Sequence, residues 1–429
     1  MKPALAKSYL FLQGPHGPFF WQLAKMVRSA GASVTKIGFN AGDRFFWREK
    51  RSYTRFSGTL AEWPETCAAI LTEHAITDIV LYGDAREIHA QAIKIAKARG
   101  ITVHVFEEGY LRPYWITYER DGANGHSKLM DLSVAHMEAA LSSGAADVPR
   151  PPAEWGDMHA HIFYGAVYHW FVWFWNRAYP GFQPHRALTV RQEFLLYLRR
   201  LLYLPVHVVE RRLATSRIRR GGYPYHLVLL QLSHDANFLA HSTFDTIEDF
   251  VHLALEGFAE GAPAHHHLVF KAHPLENGAK PLRRIIRQHA ERLGITHRVH
   301  YVRGGKLARL LTDTRSAVTV NSTAAQQVLW RGLPLKAFGQ AVYRKSAFVS
   351  DQTLPAFFRA PERPDQQAYE IYRKFLLASS QLSGGYYSAK GRKQVLRQVV
   401  DMMLSPQDPY DAAQGTTAAL QQQLRLVKD

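Results

Sequence analysis

Short apolar runs alternate with amphipathic stretches along most of the chain. Residues 8–12 form the first run, which ends in Gln13-Gly14-Pro15-His16-Gly17-Pro18 and gives way to a helical pattern over 19–30. Further apolar runs lie at 34–39, 78–82 and 101–106, with helical patterns over 62–73 and 87–99. The run at 101–106 continues directly into Glu107-Glu108-Gly109-Tyr110. Runs of about five residues rich in β-branched side chains, separated by helices of about 12, predict a parallel sheet of βαβ units. This first half is Rossmann-like, without the GxGxxG fingerprint that would call for a dinucleotide. Segments 115–119 and 124–127 read as a hairpin beside the end of the last strand.

The pattern then breaks. Residues 139–152 are small and proline-containing, 159–179 are rich in Trp, Tyr, Phe and His, and 191–220 form a basic helical stretch carrying Arg199, Arg200, Arg211, Arg212, Arg217, Arg219 and Arg220. The uncharged aromatic run is about 17 residues long and contains histidines, so it is not read as a membrane span. From Gly221-Gly222 the α/β rhythm returns. Strands are predicted at 227–232, 268–272, 299–302, 317–320 and 335–338, with helices at 246–260, 282–293, 306–312 and 324–330. The remainder, from 365 onward, is mostly helical by pattern. The expected organisation is 1–150, a Rossmann-like half; 151–222, a helical aromatic and basic insert; 223–380, a second Rossmann-like half; and 381–429, a helical tail. The fold class is α/β and GT-B-like, two Rossmann-like halves facing across a cleft.

Composition sharpens this picture. At 429 residues with 47 % hydrophobic and 21 % charged side chains, the chain is a multidomain folded protein rather than a disordered one. The single cysteine, Cys67, excludes a disulfide framework or a CxxC metal site. The formal net charge of +17 favours an anionic partner. No secretory signal opens the sequence, so a cytoplasmic location is expected. Nucleic-acid binding would suit the charge, yet no known motif or regular basic-aromatic interleaving accompanies it, and nucleic acid is not expected as a partner.

Four places lie where a predicted parallel strand runs out, the edge at which open α/β sheets bind ligands. Gln13, Gly14, Pro15 and Gly17 form either a tight strand-to-helix turn or a backbone approach to a ligand. Glu107 and Glu108, followed by Gly109 and Arg112, place a carboxylate where it can take a proton from a hydroxyl; the alternative is an ion pair with Arg112 or a helix cap. Neighbours on a strand point to opposite faces, so one of the two faces the site. Gln231 and Asp235 end the first strand of the second half, and Asp235 is either an N-cap or a nucleophile or charge stabiliser. Lys271, His273 and Pro274 end one strand, and Asn321, Ser322 and Thr323 end another before a helix. Together they make a phosphate cradle, or Ser322 is a plain cap. His265-His266-His267 is read as a loop rather than a metal site, and Cys67 as a buried structural residue. The aromatic and basic insert is read as either a membrane-contact surface, an interdomain core or a dimer face.

QGPHGPFF, EEGYLRPYWITYE, QLSHD, KAHP and VNST followed by an aliphatic helix and GLP, in this order over roughly 8–345, resemble the capsular polysaccharide biosynthesis and export protein family. The resemblance is to its β-Kdo transferase branch. It implies a retaining, metal-independent transferase with no cofactor. CMP-β-Kdo would be the donor and a (lyso)phosphatidylglycerol-type lipid, or its first Kdo, the acceptor. The first half would then serve the acceptor and the second the nucleotide sugar. Carried over by motif, Asp235 is the nucleophile, Glu107 the base, and His273, Ser322 and Thr323 hold the CMP phosphate. Arg112 is a candidate partner for the Kdo carboxylate. The implied location is peripheral on the cytoplasmic face of the inner membrane, with other capsule synthesis and export proteins as further partners. A non-catalytic membrane-associated component of an export complex is the alternative. Ala324-Ala325-Gln326-Gln327 departs from the Gly-Leu pair expected after the Ser-Thr motif.

Overall fold

The computed structural model describes residues 7–142, 158–183, 203–274, 276 and 280–412. The chain divides into two compact units. One comprises residues 1–128, 135–190 and 373–429, the other 129–134 and 191–372.

The first unit is built on a seven-stranded sheet. Its strands are β1 (Ser8–Phe11), β2 (Ser33–Gly38), β3 (Tyr53–Arg55), β4 (Asp78–Tyr82), β5 (Thr102–Glu108), β6 (Trp115–Arg120) and a last strand, Gln381–Ser383, from the far end of the chain. The order β3-β2-β1-β4-β5 is parallel, with β6 added antiparallel and Gln381–Ser383 antiparallel to β6. The parallel core is thus the 3-2-1-4-5 order of a doubly wound sheet. Alternation along the strands feeds two cores. Tyr9, Phe11, Val80 and Phe106 pack with helices Phe19–Ser29 and Ala389–Leu404. Leu10, Leu12, Ile79, Leu81, Val103 and Val105 pack on the other face with helices Trp63–Glu73 and Glu87–Ala98. Cys67 lies in that second core, buried, and burial pushes its thiol up to about 12.

The second unit repeats the plan with β7 (Tyr225–Leu229), β8 (His267–Lys271), β9 (Val299–Val302), β10 (Thr314–Thr319) and β11 (Leu335–Ala337) in the order β11-β10-β7-β8-β9. Counted within the unit this is again 3-2-1-4-5, all parallel. Helices Ile247–Gly261, Leu282–Arg292 and Leu354–Arg359 cover one face through Phe250, Leu255, Ile286 and Phe357. The fold is therefore mixed α/β with two Rossmann-like sheets, the pair of units from which GT-B glycosyltransferases are assembled.

Three expectations are revised by packing. Residues 381–412 are no appended tail: Gln381–Ser383 extends the first sheet and Ala389–Leu404 packs on helix Phe19–Ser29. The insert is not one body. Helix Met158–Phe174 belongs to the first unit and helix Leu204–Arg220 to the second, while Arg199 and Arg200 lie outside the described residues. The hairpin is formed by β5 and β6, and Asn124–His126 is a single 3-10 turn, entered with Asp121 and Asn124 both at positive φ.

Two of the three consecutive histidines, His266 and His267, enter separate neutral pairs near the start of β7, β8 and β9. His266 Nδ1 lies 3.0 Å from His226 Nε2, and His267 Nδ1 lies 2.8 Å from His300 Nε2. Burial pushes His226 down to about 3 and both His266 and His300 down to about 4. Unfolded, these imidazoles take up protons below about pH 6.5, whereas folded they resist until about pH 3–4, so the unfolded state binds the extra protons. Stability is fully present above pH ~6.5 and falls as the pH drops from there toward ~4. Urea unfolding followed by tryptophan emission at a series of pH values across this window should show a steadily falling midpoint; a flat profile would refute the neutral-pair assignment.

Candidate active site

In the first unit the ends of β1, β4 and β5 sit side by side. The Tyr82 amide donates to the Gln13 carbonyl (3.1 Å) and the Gly83 amide to the Phe106 carbonyl (2.8 Å). Gln13 is buried and fully engaged. Its Nε2 donates to Asp43 Oδ2 (3.2 Å) and to the Tyr168 hydroxyl (3.4 Å), and its Oε1 accepts from Arg86 Nη1 (3.2 Å). Asn40 caps helix Ala41–Phe46 and donates from Nδ2 to Tyr168 (2.6 Å), whose hydroxyl in turn donates to Asp43 Oδ1 (3.1 Å). Gly14 and Pro15 lie in the turn that follows. Gly17 holds φ +114, with the Tyr164 ring against it, so the turn needs glycine there for backbone reasons alone. The motif at 13–17 thus organises helix Met158–Phe174 against the strand ends.

Glu107 and Glu108 end β5 and diverge as neighbours on a strand must. Glu108 Oε1 accepts from the Tyr82 hydroxyl at 3.1 Å and from Tyr387 at 3.5 Å. Glu107 points to the other face, its Oε1 accepting from the Glu108 amide (2.9 Å). Burial pushes Glu107 up to about 7; the Glu108 and Asp84 charges add to that, while the Glu108 amide and Arg112 pull the other way. Arg112 is exposed, donates from Nε to the Gly109 carbonyl (3.1 Å), and makes no ion pair with either glutamate among the described residues. A carboxylic group balanced near neutrality can take up a proton and release it again, which is what a general base needs.

The turn carrying this carboxylate is braced from the far end of the chain. Tyr386 donates to the Glu107 carbonyl (2.7 Å), and Gln381 Oε1 accepts from the Tyr110 and Leu111 amides (2.9 and 3.3 Å). At Gly109 a Cβ would lie 2.2 Å from the Trp115 carbonyl oxygen, so only glycine lets β5 fold back onto β6 so closely. Asp43, Tyr168, Arg86, Gln381, Tyr386 and Tyr387 are absent from the motif-based set. Each reaches the strand ends through tertiary packing, and the one local trace is the Gly384-Gly385-Tyr386-Tyr387 punctuation.

In the second unit Gln231 and Asn321 tie the ends of β7 and β10 together. Gln231 Nε2 donates to Asn321 Oδ1 (2.8 Å) and the Asn321 amide returns a bond to Gln231 Oε1 (3.1 Å). Asp235 is the N-cap of the short helix Ala236–His241, Oδ1 accepting from the Asn237 amide at 2.9 Å. Its side chain is half-buried, and Oδ2 has no hydrogen-bond partner among the described residues. Ser322 also caps locally, its hydroxyl accepting from the Ala324 amide (3.2 Å) while its carbonyl accepts from Tyr343 (2.8 Å). The helix that follows is only Ala325–Leu329. The departure at 324–327 has a structural reason: Gln326 is buried, donating to the Tyr372 hydroxyl (3.0 Å) and accepting from Tyr369. His273 and Thr323 are half-buried and Pro274 is exposed.

Lys271 differs from these. It is buried at the end of β8 with one long bond, 3.4 Å, to the Ala272 carbonyl, and no carboxylate pairs with it among the described residues. Burial, then Arg211, pushes it down to about 8. A buried ammonium with no counter-ion favours an incoming anion. Beside the ends of β8 and β9 an open cleft of about 380 Å³ is lined by Lys280, Arg283, Arg284, Arg287 and Arg303, with Tyr301 and Glu276. Sequence reading missed this cationic cleft, although the amphipathic run 280–287 held the signal.

Two doubly wound units, one with an acidic turn at its strand ends and the other with a buried cation, define an α/β protein of the GT-B type. A family model described as capsule polysaccharide biosynthesis protein matches residues 77–387, and the chain belongs to that family. It is 30 % identical over 395 residues to the capsule polysaccharide export protein KpsS of Escherichia coli, covering 89 % of this chain and 97 % of that protein. It is 32 % identical over 394 residues to the capsule polysaccharide modification protein LipB of Neisseria meningitidis serogroup B, covering 89 % and 92 %. Among solved structures, the β-Kdo 2,7 transferase KpsC of Thermosulfurimonas dismutans aligns with a TM-score of 0.41 at 10 % identity, over 92 % of this chain and all of that one.

Gln381→Leu should leave the Tyr110 and Leu111 amides without their acceptor. An expected loss of about 1–3 kcal/mol per unsatisfied buried group is readable by urea unfolding, with far-UV circular dichroism unchanged before the transition. Stability equal to wild type would remove the brace.

Proposed function

We propose that this chain is a retaining, metal-independent glycosyltransferase of capsule assembly, moving β-Kdo from CMP-β-Kdo to a (lyso)phosphatidylglycerol-type lipid or to the first Kdo on one. The observation that carries the reading is Glu107: a carboxyl at a parallel strand end, balanced near neutrality, with its companion Glu108 tied to phenols. Family membership supplies the capsule setting.

In this reading the donor's nucleotide binds the second unit. Lys271 neutralises the phosphate, with His273 and the Ser322 and Thr323 hydroxyls as further donors. Asp235 attacks the anomeric carbon through its uncapped Oδ2 and CMP leaves, its phosphate taking the electron pair of the broken bond. Glu107 then accepts the acceptor hydroxyl's proton as that oxygen displaces Asp235, restoring the free carboxylate. The acceptor's lipid places the reaction at the inner face of the inner membrane. The Kdo carboxylate is assigned to a basic side chain, with Arg112 as its candidate.

The test is CMP release from CMP-Kdo in the presence of a phosphatidylglycerol acceptor. Asp235→Ala should abolish release, and Glu107→Gln should lower it by about 10²–10⁴-fold. Wild-type rate should rise with pH through about 7, as Glu107 loses its proton, and that limb should vanish in Glu107→Gln. Undiminished release by Asp235→Ala would remove the nucleophile assignment. Absence of both release and CMP binding in the wild type would favour a non-catalytic component of an export complex, a role in keeping with the name of the Escherichia coli relative.

A further inference from the structure

Helix Met158–Phe174 is apolar nearly all round, which an ordinary surface helix is not. Its exposed positions recur every three to four residues and carry Ile162, Phe163, Trp170, Trp173 and Phe174, with Trp175 directly after; Phe163 is 61 %, Trp170 57 % and Trp175 65 % exposed. A surface helix normally shows its polar stripe there. The opposite face is fixed. Tyr168 is buried in hydrogen bonds with Asn40 and Asp43, and Phe171 stacks on Phe45 at 4.0 Å. Phe45 is itself 46 % exposed and extends the apolar surface.

We propose that this aromatic stripe docks on the surface of an anionic lipid bilayer, lying in its interfacial zone. No helix among the described residues is long and apolar enough to cross a membrane, and the polar bonds of Tyr168 tie one side of this helix to the protein. The helix therefore lies on the bilayer rather than through it. Indole and phenyl rings at the surface match the headgroup boundary.

Charge selects the occupant. No Asp or Glu occurs between 158 and 178, and next to the tryptophan end stands a small collar of exposed cations, Arg55 and Arg177. The collar is joined to the helix end by the Ala41 amide donating to Asn176 Oδ1 (2.9 Å) and by the Tyr53–Tyr179 hydroxyl pair (2.6 Å). A second copy of a chain with net charge +17 would bring like charges together, whereas an anionic bilayer neutralises them. The inference deepens the lipid-acceptor reading and rests on it for its biological use; the surface is argued from its own residues.

The experiment is co-sedimentation of the full chain with vesicles of phosphatidylcholine alone or mixed with phosphatidylglycerol. Wild type should sediment with the mixed vesicles, less so as salt rises, and its tryptophan emission should shift to the blue. The triple variant Trp170→Ser, Trp173→Ser, Phe174→Ser should lose more than about tenfold in partitioning. Arg177→Gln should weaken it roughly fivefold. All the replaced side chains are exposed, and an unchanged urea midpoint certifies folding. Equal sedimentation of triple variant and wild type would overturn the proposal, as would a wild-type dimer in light scattering that the triple variant abolishes. CMP release with a short-chain, water-soluble acceptor separates the two readings. Vesicle binding without release supports the docking surface and fells the transferase, while release without vesicle binding does the reverse.

Discussion

A carboxyl group costs free energy wherever a sheet hides it from water, and Glu107 is half-buried at the end of β5. Its position depends less on its own contacts than on the backbone that carries it. The Glu107 carbonyl accepts from Tyr386, and the next two turn amides end on Gln381, both from the part of the chain that returns after the second unit. A neighbouring Glu108 pointing the same way would add like-charge repulsion, but strand geometry sends it toward Tyr82 and Tyr387 instead. One carboxylate is thereby satisfied by phenols and the other left to rise toward neutrality. The chemistry assigned to the first unit follows from that division.

The second unit treats its motif residues differently. Asp235, Ser322, Gln231 and Asn321 all serve the fold, since Asp235 caps a short helix, Ser322 closes the turn before another, and Gln231 and Asn321 lock adjacent strand ends to each other. A structural role does not exclude a chemical one when an oxygen is left over, as at Asp235 Oδ2. Lys271 is the contrasting case. A buried lysine whose nearby charged influence is another cation has its ammonium form disfavoured by the fold around it, and an anion brought beside it would offset that cost.

Much of this was legible from period and punctuation. Apolar runs with flanking helices located most strands of both sheets, though not the three-residue Tyr53–Arg55, and the rule that ligands gather at the carboxyl ends of parallel strands pointed to positions 13, 107, 231, 271 and 321 without coordinates. The limit of such reading is sequence separation. That Gln381 would pair beside Thr117, or Tyr168 beside Asp43, is decided by three-dimensional closure, and nothing in either local stretch encodes it. Residues 381–412 read as a helical tail because helix Ala389–Leu404 has an apolar stripe and no visible partner; the partner is helix Phe19–Ser29, at the other end of the chain. Gln326 shows the same limit at one residue, where an apparent departure from a motif is a core hydrogen bond to Tyr369 and Tyr372.

Electrostatics and apolar exposure meet on one surface of the first unit, and each explains what the other leaves over. A charge excess of +17 is more than a single phosphate and a sugar carboxylate need, so most of it acts elsewhere. A stripe of indole and phenyl rings open to water is unfavourable for a protein that stays in solution. Placed against an anionic bilayer both would become favourable at once, since rings leave water as the neighbouring guanidinium groups approach lipid phosphates. The same helix sends Tyr168 into the network around Gln13, so the residues that would touch lipid and those that order the strand ends share one rigid element. On the proposed lipid-acceptor reading, contact with a bilayer through this helix would fix the orientation of the acidic turn's own unit without any moving part.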